Sequence, residues 1–201
     1  MLIFCTSNSG KFTRFCEELA PYGITAEQRP LELTEPQESD IPDVARMKAQ
    51  QAYKLTGQPC IVEDSGLCIP ELNNFPEALT KPVLTRLGLD GFLKLVSGLE
   101  DRSCYFISCL AYADIEGNVD VIIDRSMTGE LLHQPKGENF TRSWSVLSHV
   151  FRPTNFNTSM SDMTDAQLEA LFAEWRPQNI FHRFGQHVSA NRVRFGLQEA
   201  A

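Results

Sequence analysis

Apolar residues run unbroken through Met1-Leu2-Ile3-Phe4-Cys5 and then give way to the small polar stretch TSNSGK at 6–11. A short continuous apolar run bounded by such residues predicts a buried strand. Phe12, Phe15, Cys16 and Leu19 follow at helical spacing, and Pro21-Tyr22-Gly23 stops that helix. Residues 29–43 hold three prolines and a run of carboxylates, which suits an acidic loop. Over 41–55 the set Val44, Met47, Gln51/Ala52 and Leu55 predicts a second amphipathic helix, carrying Lys48. Pro59-Cys60-Ile61-Val62 reads as a short interior strand that ends in Glu63-Asp64-Ser65-Gly66.

In the second half, helical spacing over 76–96 is broken by Pro82, Gly88 and Gly91, predicting two short helices. The aromatic and β-branched stretches 103–113 and 118–127 flank Glu116-Gly117-Asn118, the turn of a long antiparallel hairpin. Residues 137–158 read as a loop or a poorly signalled strand. Thr164 with Gln167 makes a capping box for a helix through Trp175, and Pro177 separates it from a last helix containing Ile180, Phe184 and Val188. No repeat, low-complexity tract or linker interrupts the pattern. The expectation is one α/β domain over 1–201, a twisted mixed β-sheet flanked by helices. Ligands of such sheets sit beyond strand ends, where the polar clusters at 6–11 and 63–66 lie.

Composition narrows the function. A chain of 201 residues, 42% hydrophobic and 22% charged, can bury a real core as one generous domain or two small lobes. No apolar run approaches the ~20 residues that cross a bilayer, and no signal-peptide pattern opens the chain, so no membrane association and a cytoplasmic location are expected. The six cysteines, Cys5, Cys16, Cys60, Cys68, Cys104 and Cys109, make no CxxC pair and read as reduced core residues. A net charge of -8 argues against a nucleic acid polymer as partner, because such binding rests on many Lys and Arg contacts to phosphate. A polyphosphate ligand would be held locally, with a divalent cation.

TSNSGK supports two readings. Ser7 or Ser9 caps the helix and Gly10 eases the turn, or backbone N–H groups and Lys11 face an anion at the helix N-terminus. The spacing is not that of a Walker loop. Taken together, Asn8, Lys11, Glu35, Lys48, Glu63, Asp64, Lys81, His182 and Arg183 form a set in which carboxylates hold Mg²⁺ and cationic side chains take phosphate charge. Each also has an ordinary reading: Asp64 in a turn, Glu35 in a solvated loop, Lys48 and Lys81 on the surface, His182 satisfied within a helix, Arg183 in a surface ion pair.

The stretches TSNSGK, LTEPQE, MKAQQA and VEDSGLCIPELNNFPEALTKPVLTRLGLDGFLKLVSGLEDRS, with HRF near the C-terminus, resemble the inosine triphosphate pyrophosphatase (Ham1-like) family. The resemblance runs in order over most of 2–113 and more weakly through the C-terminal third. It implies an elongated two-lobed architecture with the site in the cleft. It also implies a homodimer that uses Mg²⁺ to hydrolyse nucleoside triphosphates such as ITP, dITP and XTP to monophosphate and pyrophosphate. Carried over by motif, Thr6, Asn8 and Lys11 match the phosphate-binding loop, and Glu35 and Asp64 match the metal carboxylates with Glu63 beside them. Lys48 and Lys81 match lysines near the triphosphate, and His182 and Arg183 match the pair that meets the base. Asp64, Glu63 and Lys11 are then the catalytic candidates, the carboxylates taking a proton from water and the lysine stabilising phosphate charge.

The pattern breaks on the base side. The family's phenylalanine–glycine–aromatic–aspartate–proline run is replaced by GENFTRSWSVLSHVF, where Trp144 stands for the stacking aromatic and Ser145 for the aspartate. Trp144 reads equally as a core residue. Phe181 replaces the serine before the histidine–arginine pair, and the lysine expected a few residues earlier is replaced around Arg176-Pro177. Reaction type is therefore more legible than base preference. The alternatives are the same hydrolysis on a different or modified nucleotide, and a nucleotide-binding protein that kept the fold and lost turnover.

Overall fold

Strand β1 (Leu2–Phe4) is buried along its whole length and pairs in parallel on both sides, with β2 (Ala26–Gln28) and with β3 (Cys60–Cys68). The computed structural model describes residues 1–36, 40–137 and 145–198. These fall into two compact units. The first holds Met1–Ser65, Ser108–Asp124 and the segment from Pro177 onward; the second holds Gly66–Ile107 and Arg125–Arg176. With β4 (Pro76–Glu77), β5 (Ser103–Ala113), β6 (Val119–Leu131) and β7 (Phe151–Pro153), the strands hydrogen-bond in the order β2-β1-β3-β5-β6-β7, β4 pairing β3, and helices flank this mixed sheet.

In the first unit, α1 (Ser9–Leu19) connects β1 to β2, and α2 (Ile41–Thr56) connects β2 to β3. Because β1 lies between β2 and β3, right-handed crossovers place α1 and α2 on opposite faces. On the α1 face, Phe4, Phe15 and Ile61 pack with Phe181 and Phe184 of α5 (Ile180–Ala190). The Phe4 and Phe15 rings lie 4.6 Å apart, and Phe15 meets Phe181 edge-on at 5.4 Å. On the α2 face, the Cys60 thiol donates to the Ala49 carbonyl. Asp40 caps α2 by accepting from the Asp43 N–H, and Pro42 sits in the first turn, where it removes no helical hydrogen bond. The cap of α1 is Asn8, not Ser7 or Ser9: its Oδ1 accepts from the Lys11 N–H at 3.0 Å.

The second unit builds its core from Leu67, Ile69, Phe92, Phe106, Phe151, Leu168 and Leu171. Here β3 pairs antiparallel with β4 (Pro76–Glu77), and β6 (Val119–Leu131) pairs antiparallel with β7 (Phe151–Pro153). The helices are α3 (Thr80–Leu95) and α4 (Asp165–Trp175), the latter with the expected Thr164–Gln167 capping box.

Two expectations change, the end of β3 and the break at Pro82. β3 does not end at Glu63 but runs through the charged residues to Cys68. The two short helices expected over 76–96 are present within Thr80–Leu95: they meet at Gly88, whose φ of 65° and ψ of 178° are not helical and whose positive φ would strain a side chain. Pro82 sits near the start of that helix and is tolerated. Within 137–158 the described residues form a short 3-10 turn (Val146–His149) and β7. All six cysteines are free, five of them buried, and no described helix is long and apolar enough to cross a membrane.

The tip of the hairpin between β5 (Ser103–Ala113) and β6 is tied to the C-terminal segment by Asp114, which is 2% exposed. Its Oδ1 accepts from the Glu116 and Asn118 N–H groups, and its Oδ2 from Arg194 Nε at 2.8 Å. Burial alone would push this carboxyl up, but the hydrogen bonds from Arg194, Asn118 and Glu116 hold it below the usual aspartate range. A carboxyl whose folded pKa is depressed stabilises the fold above its unfolded value, and that stability is lost as pH falls through the folded value. Asp114→Ala should therefore cost about 2–3 kcal/mol in urea unfolding at pH 7. The penalty should shrink once the pH drops below ~3.9, where the wild-type carboxylate begins to lose its charge in the unfolded chain and then in the folded one.

Candidate active site

The register of β1 on β3 pairs Phe4 with Ile61, so β3 extends past the point where β1 stops. The chain leaving β1 folds back on itself there: Thr6 N–H donates to the Phe4 carbonyl and Asn8 N–H to Thr6 Oγ1. Gln28 Nε2 donates to the Thr6 carbonyl at 3.0 Å, which fixes the loop against β2. Lys11, in the first turn of α1, pairs its ammonium with Glu63 Oε2 and reaches Ser65 Oγ at 3.5 Å.

Successive side chains of a strand point to opposite faces, so Glu63 and Asp64 meet different lysines. Glu63 shares the face of Ile61 and meets α1. Asp64 shares the face of Cys60 and meets α2, where Lys48 Nζ donates to Asp64 Oδ1 at 2.9 Å. The same ammonium donates to Glu35 Oε1 at 2.8 Å. The Lys48 side chain is 12% exposed, whereas that of Glu35 is 64% exposed. Burial lowers the Lys48 pKa, but Asp64 and Glu35 outweigh it and leave it above the ordinary lysine value. Burial pushes the Asp64 carboxyl up to about 6, against the pull of the Lys48 ammonium.

Two hard oxygen donors from different elements thus converge on one cation, and Asp64 Oδ2 is buried with no hydrogen-bond partner. That donor set fits Mg²⁺, which takes one or two carboxylates and completes its shell with water and substrate phosphates. Among the described residues no group of three or more His, Cys, Asp or Glu forms a metal cage of its own.

The structure brings together Thr6, Asn8, Lys11, Glu35, Lys48, Glu63 and Asp64. Lys81 is exposed on the first turn of α3, in the second unit. Trp144 lies outside the described residues. Ser145 caps the following turn by accepting from the Leu147 N–H. His182 Nδ1 lies 3.3 Å from Glu18 Oε2, and Nε2 lies 3.2 Å from the Gln186 amide. Arg183 donates to the Ile123 carbonyl of β6 at 2.8 Å. Glu18 is seven residues beyond Lys11 on α1, about 10 Å along the helix, so His182 stands well apart from the phosphate-side lysine.

Sequence reading missed Ser65, Gln28 and Gln51. Gln51 entered only as a position in the apolar set of α2, yet its carboxamide makes two bonds to the backbone of Thr34. Its Oε1 accepts from the N–H at 2.9 Å and its Nε2 donates to the carbonyl at 3.0 Å. The available signal was its spacing, three residues after Lys48 and hence on the same helix face.

The family model described as Ham1 family matches residues 2–172. A dITP/XTP pyrophosphatase of Methanopyrus kandleri is 36% identical over 191 residues, covering 90% of this chain and 99% of its own. An inosine triphosphate pyrophosphatase of Yarrowia lipolytica is 30% identical over 170 residues, covering 85% and 87%. Among solved structures, a nucleoside-triphosphatase / dITP/XTP pyrophosphatase from Mycobacterium abscessus aligns with a TM-score of 0.72 at 24% identity, covering 88% of this chain and 94% of its own. The Ham1 protein of Staphylococcus aureus aligns with a TM-score of 0.73 at 16% identity, covering 94% and 98%. At these identities the structural matches speak for the shared fold.

Lys48 offsets the burial of Asp64, so Lys48→Met in the metal-free protein should move the Asp64 carboxyl further up from about 6. A carboxyl-carbon NMR titration reads this directly, and an unmoved Asp64 would show that the ammonium does not govern its charge.

Proposed function

The chain belongs to the Ham1 family, and on that premise we propose that it is a Mg²⁺-dependent nucleoside triphosphate pyrophosphatase acting on deaminated purine nucleotides such as ITP, dITP and XTP. The products would be the monophosphate and pyrophosphate. The observation that carries this reading is the Lys48 ammonium held jointly by Glu35 and Asp64, with the second lysine, Lys11, on the adjacent carboxylate of the same strand.

In this reading Glu35 and Asp64 hold the cation. When bound, Mg²⁺ supplies neutralising charge to the phosphates and a water of lowered pKa. Lys11 and the loop of Thr6 and Asn8 grip the phosphates at the N-terminus of α1, where the helix dipole adds attraction. Lys48 contributes a donor already oriented by its two carboxylates, and Lys81 a further cation. Asp64 assists removal of the water proton, with Glu63 as the neighbouring carboxylate. Trp144, His182 and Arg183 meet the base. Positioning and charge stabilisation carry most of such catalysis, which asks little covalent chemistry of the protein. The active form is a cytoplasmic homodimer of this single-domain chain.

A different or modified base is the second reading. It is favoured by Ser145, whose hydroxyl occupies the place of the family's aspartate and accepts a backbone N–H of its own turn. Loss of a matched polar group alters selectivity by orders of magnitude.

The test is pyrophosphate release with Mg²⁺ across ITP, XTP, their deoxy forms and the standard and modified triphosphates. Asp64→Asn should lower kcat/KM by at least ~100-fold, on the order of 3 kcal/mol, with cooperative unfolding retained, and chelation should abolish turnover. Undiminished turnover in folded Asp64→Asn would remove the assigned role, and no product from any triphosphate would leave a binding protein.

A further inference from the structure

We infer that Gln51 is a positioning residue, whose carboxamide holds the 30–36 segment in place so that the Glu35 carboxylate meets the Asp64 side of β3. The inference rests on the reading of Glu35 as a metal carboxylate. Residues 30–36 belong to no strand or helix. Among the described residues, the backbone hydrogen bonds of that segment are the two at Thr34, and both go to Gln51. A carboxamide presents one acceptor and one donor side by side, which matches the N–H and C=O of a single residue as a neighbouring strand would. Asn would fall one methylene short, and Met would fill the same space with neither bond.

Leu31, Leu33 and Pro36 of this segment are half-buried, but the Glu35 side chain is 64% exposed, so its own packing does not hold it. An ion pair with so exposed a partner orders it weakly. Gln51 and Lys48 lie three residues apart on α2, so one helix face takes the backbone of Thr34 and the carboxylate of Glu35 together. A ligand held in place before the cation arrives costs less to order on binding, so the clamp acts on cation affinity.

The variants are Gln51→Met, Glu35→Gln and the double substitution, each checked for cooperative thermal unfolding. Amide hydrogen exchange at Thr34 and Glu35 should speed up in Gln51→Met while β1 and α1 stay protected. Binding of Mn²⁺ alone, followed by the electron paramagnetic resonance of the free ion, should weaken by roughly 10-fold. Glu35→Gln should weaken it at least as much, and the double variant should be no weaker than Glu35→Gln, because both changes act through one carboxylate. Unchanged exchange at Thr34 would overturn the clamp. Faster exchange with unchanged Mn²⁺ affinity, while Glu35→Gln weakens it, would overturn the positioning role and leave the functional reading standing. Unchanged affinity in Glu35→Gln would overturn the metal role of Glu35, and the inference with it.

Discussion

The ammonium of Lys48, shared between Asp64 and Glu35, is the contact on which the site depends. A charge taken out of water costs several kcal/mol unless it is paired and hydrogen-bonded. β3 carries two carboxylates through the middle of a strand whose flanking triplets, 60–62 and 66–68, are buried. Such a strand is tolerable only if cations reach it from both faces, and the parallel order β2-β1-β3 supplies one helix to each. Lys11 comes from α1 and Lys48 from α2. The topology and the chemistry are thus one requirement: the crossovers that build the sheet also deliver the counter-ions.

The remaining contacts of the first unit serve this arrangement. The aromatic packing of Phe4, Phe15, Phe181 and Phe184 sets α1 against the sheet, which fixes where Lys11 starts. Asn8 sets where the helix begins, and Gln28 ties down the preceding loop. On the other face, Asp40 starts α2, and Gln51 joins that helix to the segment bearing Glu35. Electrostatics among groups so held needs little rearrangement when an anion arrives.

Much of this was legible in the sequence where hydrophobic period decides structure. β1, α1, α2, the hairpin and α4 follow from spacing and capping, and the ordered motifs identified the family. What failed had local causes. Charged residues at 63–64 read as the end of a strand because their lysine partners lie 52 and 16 residues away, beyond any local signal. Asn8 was passed over beside two serines because all three are good caps. Pro82 suggested a break that the start of a helix absorbs, whereas Gly88 does separate the two helices expected there. Gln51 looked like an interruption of an apolar stripe because its partner is a backbone, which leaves no mark in sequence. The partners of His182 and Arg183, the Glu18 carboxylate and the Ile123 carbonyl, were likewise invisible in a list of motifs.

Alternation along β3 has a further consequence for how this stretch can vary. Glu63 and Asp64 are told apart less by their chemistry than by parity, since odd positions answer to α1 and even ones to α2. Substitutions on one face leave the other face's partners where they are, so each half of the dipeptide is open to separate tuning. Loss or gain of a single residue between Cys60 and Glu63 is a different matter. The chain would still form a strand, but every carboxylate would be addressed to the wrong helix, and a length change of one would do more harm there than a change of side chain.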